Sequence, residues 1–173
     1  MMGIQLYLSV LVLAANYMVG NHAMRVAHRT LRNPNQGLPD VLHAILPHIH
    51  IQIPDVAVVC ILLASFKFVD QAIVNRVLVC FLVRPVFVCA TTLPSPIPAE
   101  AYFHTHDLMF SGHTILFLAA AQLLHTHHHA FPGMCVGIGG PLLLVAARQH
   151  YTIDILVATA VFLATPIEWP NLE

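Results

Sequence analysis

Charge is what this 173-residue chain has least of: Lys, Arg, Asp and Glu together make up 9%, against roughly 25% in soluble domains. A water-facing surface cannot be built from so few charges, so lipid is the expected solvent. A formal net charge of -1 offers no basic footprint, which argues against a nucleic-acid partner. The cysteines Cys60, Cys80, Cys89 and Cys135 lie in apolar stretches and form no CxxC pair. They read as small apolar side chains rather than a disulfide framework or a zinc site. Internal repeats and low-complexity linkers are absent, and so is the apolar–polar alternation of membrane strands. The first apolar run lacks the basic flank of a signal peptide and reads as a first transmembrane helix.

What is abundant is apolar sequence: hydrophobic residues make up 58% and mean hydropathy is +0.76. The pattern predicts an all-α chain, an integral membrane bundle of about six transmembrane helices in a single domain spanning residues 1–173. The expected helices are 4–24, 54–70, 72–93, 108–126, 133–149 and 151–168. Several are short for a hydrocarbon core of roughly 30 Å. Breaks fall at Asn33-Pro34-Asn35-Gln36-Gly37, at Leu93-Pro94-Ser95-Pro96-Ile97-Pro98 and at Phe131-Pro132-Gly133, where proline and glycine interrupt helices. Six spans put the loops after helices one, three and five on one side. Those loops carry Asp40, the 94–107 stretch and His150. Arg25, Arg29 and Arg32 lie on that side too, so the positive-inside rule points it to the cytosol.

Two polar strings interrupt the grease: Ser111-Gly112-His113-Thr114 and His150-Tyr151-Thr152-Ile153-Asp154. Buried imidazoles and carboxylates are costly in such surroundings and mark chemistry. On a helix, His150 and Asp154 share a face. Asp154 can then accept the Nδ1–H of His150, leaving the other nitrogen to attack phosphorus. His113 falls where a helix N-terminus meets phosphate with free N–H groups. Gly112 permits close approach, Ser111 and Thr114 add hydroxyls, and Tyr151 joins the substrate-binding candidates. His113 can protonate a leaving alkoxide and then deprotonate an incoming hydroxyl. Arg84, inside a helix, reads as a phosphate contact or as half of an ion pair. Arg148 reads as a phosphate clamp or a snorkelling side chain. Asp107 reads as a charge tuning His113 or as a group answering the helix dipole. Asp40 reads as a loop or helix anchor. His125, His127, His128 and His129 read as a hydrated loop rather than a metal site. His43, His48 and His50 read as an interfacial loop before helix two.

SGHT followed by HYTID resembles the sphingomyelin synthase family, a membrane branch of the type 2 phosphatidic acid phosphatase superfamily. Gly37-Leu38-Pro39-Asp40 resembles that family's PLPD. Arg76 through Pro98, with Arg84 and Thr91-Thr92-Leu93-Pro94, resembles its third-helix motif and TTLP. The resemblance covers about residues 37–155. It implies a six-helix bundle whose active face meets the lumen or exterior of Golgi, endoplasmic reticulum or plasma membrane, opposite to the arginine bias. It also implies His150 as nucleophile, Asp154 as its orienting partner and His113 as acid and base, with no metal and no cofactor. The implied reaction moves a phosphocholine, phosphoethanolamine or phosphoinositol headgroup from a glycerophospholipid to ceramide, diacylglycerol or another lipid hydroxyl. Oligomeric state stays open. The chain departs from the family at His104-Thr105-His106 and Asn75-Arg76, and in a short loop before SGHT; these departures bear on headgroup and acceptor. The phosphatase pattern KxxxxxxRP is half met: Arg84-Pro85 is present, but Val77 stands at the lysine position. The alternatives are a lipid phosphatase or phospholipase C-like hydrolase of the same superfamily, and a non-enzymatic metal-binding membrane protein.

Overall fold

The computed structural model describes residues 2–30, 38–91, 93–94, 96 and 109–166. Among these the chain is all helical: α1 (Met2–Thr30), α2 (Val41–Ile45), α3 (Ile53–Ser65) running into a 3₁₀ turn (Phe66–Phe68), α4 (Gln71–Ala90), α5 (Gly112–Thr126), α6 (Ala130–Ala146) and α7 (Thr152–Ala164). Six of these helices correspond to the six expected ones. The short α2 falls where a loop was expected.

Local chemistry sets the boundaries. Asp70 accepts the Ala72 N–H at 2.8 Å and starts α4, as a carboxylate does at a helix N-terminus. The fourth expected helix begins at Gly112 rather than at 108, because Phe110 takes φ 72 and a left-handed residue cannot continue a right-handed helix. Pro132 does not separate helices as expected. It sits in the first turn of α6, where its missing N–H has no intrahelical partner to lose. The same helix ends at Ala146, short of 149, ahead of Arg148 at φ 60.

α5 is the central element and touches α3, α4, α6 and α7. Its one flank packs Ile115, Ala119 and Leu123 with Ile73 and Cys80 of α4 and Ala158 and Phe162 of α7. Its other flank sets Phe117 against Val58 of α3 and Leu144 of α6. α6 approaches closely through glycine: a Cβ on Gly140 would stand 2.3 Å from the Phe117 ring, and one on Gly133 would stand 2.8 Å from the Ala121 carbonyl. Such small-residue contacts are how helices pack when lipid surrounds them.

Pro85 inside α4 cannot donate to the Phe81 carbonyl four residues back. Asn16 of α1 supplies the missing donor, its Nδ2 bonding Phe81 O at 2.9 Å. A helix defect thereby becomes the tie between α1 and α4. Arg76, near the start of α4, donates to the Phe162 and Leu163 carbonyls at 2.8 and 3.2 Å and to Gln122 Oε1 at 2.9 Å. It answers the exposed carbonyls of the α7 C-terminus.

At the opposite end the segments after α1, α4 and α6 meet. The Tyr151 hydroxyl accepts the Leu38 N–H and donates to Pro94 O, both at 2.8 Å. The Ile49 N–H reaches Ala146 O at 3.2 Å. The convergence expected of the three loops is therefore present. The outward faces are apolar, with Leu63, Phe66, Val86, Phe131 and Leu163 exposed. Among the described residues, α4 is the one helix long and apolar enough to cross a membrane by itself.

Candidate functional site

The two polar strings flank one pocket. Ser111 is the N-cap of α5 and its hydroxyl accepts the Thr114 N–H at 3.2 Å. That leaves the Gly112 and His113 amides in the first turn, where a helix presents donors to an anion. Gly112 lets the start of α5 approach closely: a Cβ would lie 3.2 Å from the Phe81 ring, which would have to give by a few tenths of an ångström, and 3.5 Å from Arg84 Nε. Arg84 is buried and reaches in from α4. Its Nε donates to Phe110 O at 3.0 Å and its Nη1 to Asn16 Oδ1 at 3.1 Å. The Phe110 carbonyl meets Arg84 from a residue at φ 72, a conformation that costs a bulky side chain of the order of 1–3 kcal/mol. Phe110 is fully buried against Phe87, and this packing offsets the strain.

The second string enters from the α6–α7 connection. His150 is buried, and its Nδ1 lies 3.5 Å from Asp154 Oδ2. Asp154 is fully buried in the first turn of α7, where Oδ2 accepts the Tyr151 N–H at 2.9 Å. Among the described residues neither His150 Nδ1 nor Asp154 Oδ1 has a hydrogen-bond partner. Two unsatisfied buried polar atoms side by side are costly. A small closure of the 3.5 Å gap would satisfy the imidazole. The His150 carbonyl accepts from His43 Nε2 at 3.0 Å, which fixes the protonated nitrogen of a neutral His43 ring.

Arg84, Gly112, His113 and His150 line an open pocket of about 340 Å³, together with Leu13, Phe81 and Leu116. Asp154 stands behind His150. Ser111 and Thr114 are buried in the α5 cap rather than in the pocket wall, and the Thr114 hydroxyl has no partner among the described residues. Tyr151 and Arg148, expected at the substrate, are held elsewhere. The Tyr151 ring lines a separate pocket with Leu38, Asp40 and Leu93, because both sides of its hydroxyl are taken by backbone. Arg148 turns to the Leu46 carbonyl at 3.4 Å. Asp107 lies outside the described residues, as do His104, Thr105 and His106.

Three residues at this end escape a motif search. Asp55, in the first turn of α3, places Oδ1 3.2 Å from His113 Nε2. Gln149 donates to both Asp55 oxygens at 3.2 and 3.3 Å and to Ile51 O at 2.7 Å. Asn16 holds Arg84. A signal for Asp55 existed, since an acid within the expected 54–70 span is itself conspicuous. Asn16 carries no signal until Pro85 is seen to need a donor.

Residues 105–167 match the family model of the PAP2 superfamily C-terminal domain. The match takes in both polar strings and the helices between them. It supports membership of the type 2 phosphatidic acid phosphatase superfamily, whose members are phosphatases and phosphotransferases acting on lipids. No curated protein and no solved structure matches the chain. Within this matched segment the histidines His125 to His129 lie at the far end of α5. There the His127 and His129 rings pack on Phe68, with centroids 4.7 and 5.6 Å away. They take no part in the pocket. Among the described residues, no group of three or more His, Cys, Asp or Glu side chains could hold a metal ion.

Proposed function

We propose that this chain is a membrane phospholipid headgroup transferase, working through a phosphohistidine. The observation that carries the reading is the single pocket flanked by His113 and His150, with Arg84 at its wall and Asp154 behind His150. With Nδ1 facing the Asp154 carboxylate, the other nitrogen of His150 is the nucleophile. Arg84 and the α5 amides supply positive charge where the phosphate oxygens gain negative charge. Attack forms the N–P bond and breaks the P–O bond to diacylglycerol, and His113 gives its proton to the departing alkoxide. In the second half His113 takes the proton of an incoming lipid hydroxyl, the new O–P bond forms and the N–P bond breaks.

A lipid substrate is favoured by what borders the pocket. Leu116 lines it and also lines an apolar groove of about 270 Å³ with Leu62, Ile73, Val77, Leu78 and Ala119. A polar head at His113 thus has an apolar channel alongside, between α3, α4 and α5. In this reading six helices span the bilayer, and the acceptor is ceramide or another lipid alcohol.

The test is headgroup transfer in vesicles from phosphatidylcholine, phosphatidylethanolamine and phosphatidylinositol to fluorescent ceramide or diacylglycerol. We expect His150→Ala and His113→Ala to abolish transfer. Asp154→Asn should lower it by about 10²–10⁴-fold, with thermal melting unchanged. Transfer by His150→Ala at the parental rate refutes the assignment. Release of free phosphate or phosphocholine without lipid product makes the enzyme a hydrolase instead.

A further inference from the structure

The pocket contains two histidines, and each has a carboxylate of its own. Asp154 belongs to His150 and comes from the same string. The second carboxylate comes from a different helix: Asp55 of α3, with Oδ1 3.2 Å from His113 Nε2. Both side chains are partly exposed, 34% for His113 and 30% for Asp55, and His113 itself lines the pocket. Asp55 is itself held. The Gln149 amide donates to both of its oxygens and to the Ile51 carbonyl. Gln149 immediately precedes His150, so one side chain couples the two histidine supports. Pro54, at the start of α3, fixes the turn on which Asp55 rides.

We infer that Asp55 is the positioning residue of His113, the carboxylate that keeps its imidazole oriented and proton-bearing for leaving-group protonation. This rests on the transfer chemistry proposed above. With Nε2 held by Asp55, Nδ1 is the nitrogen left to carry the transferred proton. When the P–O bond breaks, that proton passes to the alkoxide of diacylglycerol, and His113 is left neutral beside an Asp55 that stays ionised. The acceptor hydroxyl returns the proton to His113 in the second half, so the dyad ends each cycle as it began. An ionised partner stabilises the imidazolium that exists before proton donation and after proton abstraction.

The inference has a signature that a merely structural role would not produce. A 4-nitrophenolate departs without protonation, whereas a glycerol alkoxide needs its proton. The experiment compares the same phosphate on the two leaving groups: phosphatidylcholine against 4-nitrophenylphosphocholine, and phosphatidic acid against 4-nitrophenyl phosphate. The assay uses the full chain in vesicles. Asp55→Asn is expected to lose at least about tenfold more activity on the glycerolipid than on the nitrophenyl ester. Asp55→Glu, which keeps the charge, should restore part of the difference. Equal loss on both esters, or no loss on either, overturns the inference. Should Asp55→Asn fail to fold, the ratio is read from Asp55→Ala, and a ratio equal to that of the parent overturns it. A parent protein inactive on all four esters overturns the transfer reading itself, a result distinct from an unaltered ratio in an active enzyme.

Discussion

Asp40 and His43 show how single titratable groups hold the pocket end of the molecule together. Asp40 accepts from the His43 N–H at 3.1 Å and from the Thr152 N–H and hydroxyl, both at 2.7 Å. Burial pushes its carboxyl up, but the three donors outweigh burial and hold it below the ordinary 3.8. For His43, burial pushes the imidazole below its ordinary 6.5, against the opposing pull of the His150 carbonyl and Asp40. Both groups are thus more acidic folded than unfolded, so the unfolded chain binds more protons in each window and stability rises with pH there. The His43 contribution is complete above about 6.5 and disappears as pH falls through the lower folded value. The Asp40 contribution persists until well below 3.8. Between about pH 8 and about pH 5 we therefore expect the melting temperature of the parent to fall more than that of His43→Gln. Parallel curves would show that His43 takes no part. At this scale the sequence was legible wherever polar groups stood out from grease, as His113, His150, Asp154 and Arg84 do. It was illegible where a role depends on a distant backbone atom. Tyr151 sits inside the most telling string, yet serves Leu38 and Pro94. His43 reads as an interfacial loop residue, yet grips the carbonyl of His150.

The helices depend on a few places where backbone comes close to backbone or ring. Gly139 and Gly140 are neighbours on α6 with opposite surroundings: a Cβ at Gly139 meets nothing within 4 Å, and one at Gly140 falls 2.3 Å from Phe117. Glycine inside a helix costs about 1 kcal/mol relative to alanine, so Gly139→Ala should stabilise by about that amount. At Gly140 the same gain is set against displacement of a fully buried ring, an overpacking cost of about 1–3 kcal/mol, so Gly140→Ala should destabilise. Melting of the two variants in one detergent decides. Stabilisation by both would mean that α5 and α6 are not in the contact described. Helix existence was readable from apolar runs, whereas boundaries were not. Phe131-Pro132-Gly133 reads as a break, but a first turn tolerates proline and close packing against Ala121 requires the glycine. The left-handed residues Phe110, which stands just before α5, and Arg148, which stands just after α6, carry no compositional mark.

Taken whole, the molecule is apolar outside as well as inside. Leu63 and Phe66 on and after α3, Val86 on α4, Phe131 on α6 and Leu163 on α7 all face outward, and exposed apolar faces of this kind mark surfaces that meet a partner or a membrane. Length argues less simply. α4, with 20 residues, spans about 30 Å at 1.5 Å per residue, but α7, with 13, reaches only about 20 Å. If both helices cross a bilayer, as the proposed function requires, the bilayer must thin locally or the polar end must sit within the headgroup layer. The second arrangement places His113 and His150 at the level of lipid phosphates, where the proposed transfer would take place. The lipid reading is testable through Cys60, which is exposed midway along α3. A thiol facing water reacts with a membrane-impermeant maleimide, whereas one facing acyl chains stays protonated and out of reach. In a variant keeping only Cys60, we expect no labelling in intact or ruptured vesicles and full labelling after dissolution in dodecyl sulfate. Prompt labelling in ruptured vesicles would place α3 in water, and a phospholipid lying along the α3–α4–α5 groove would then have no bilayer from which to enter.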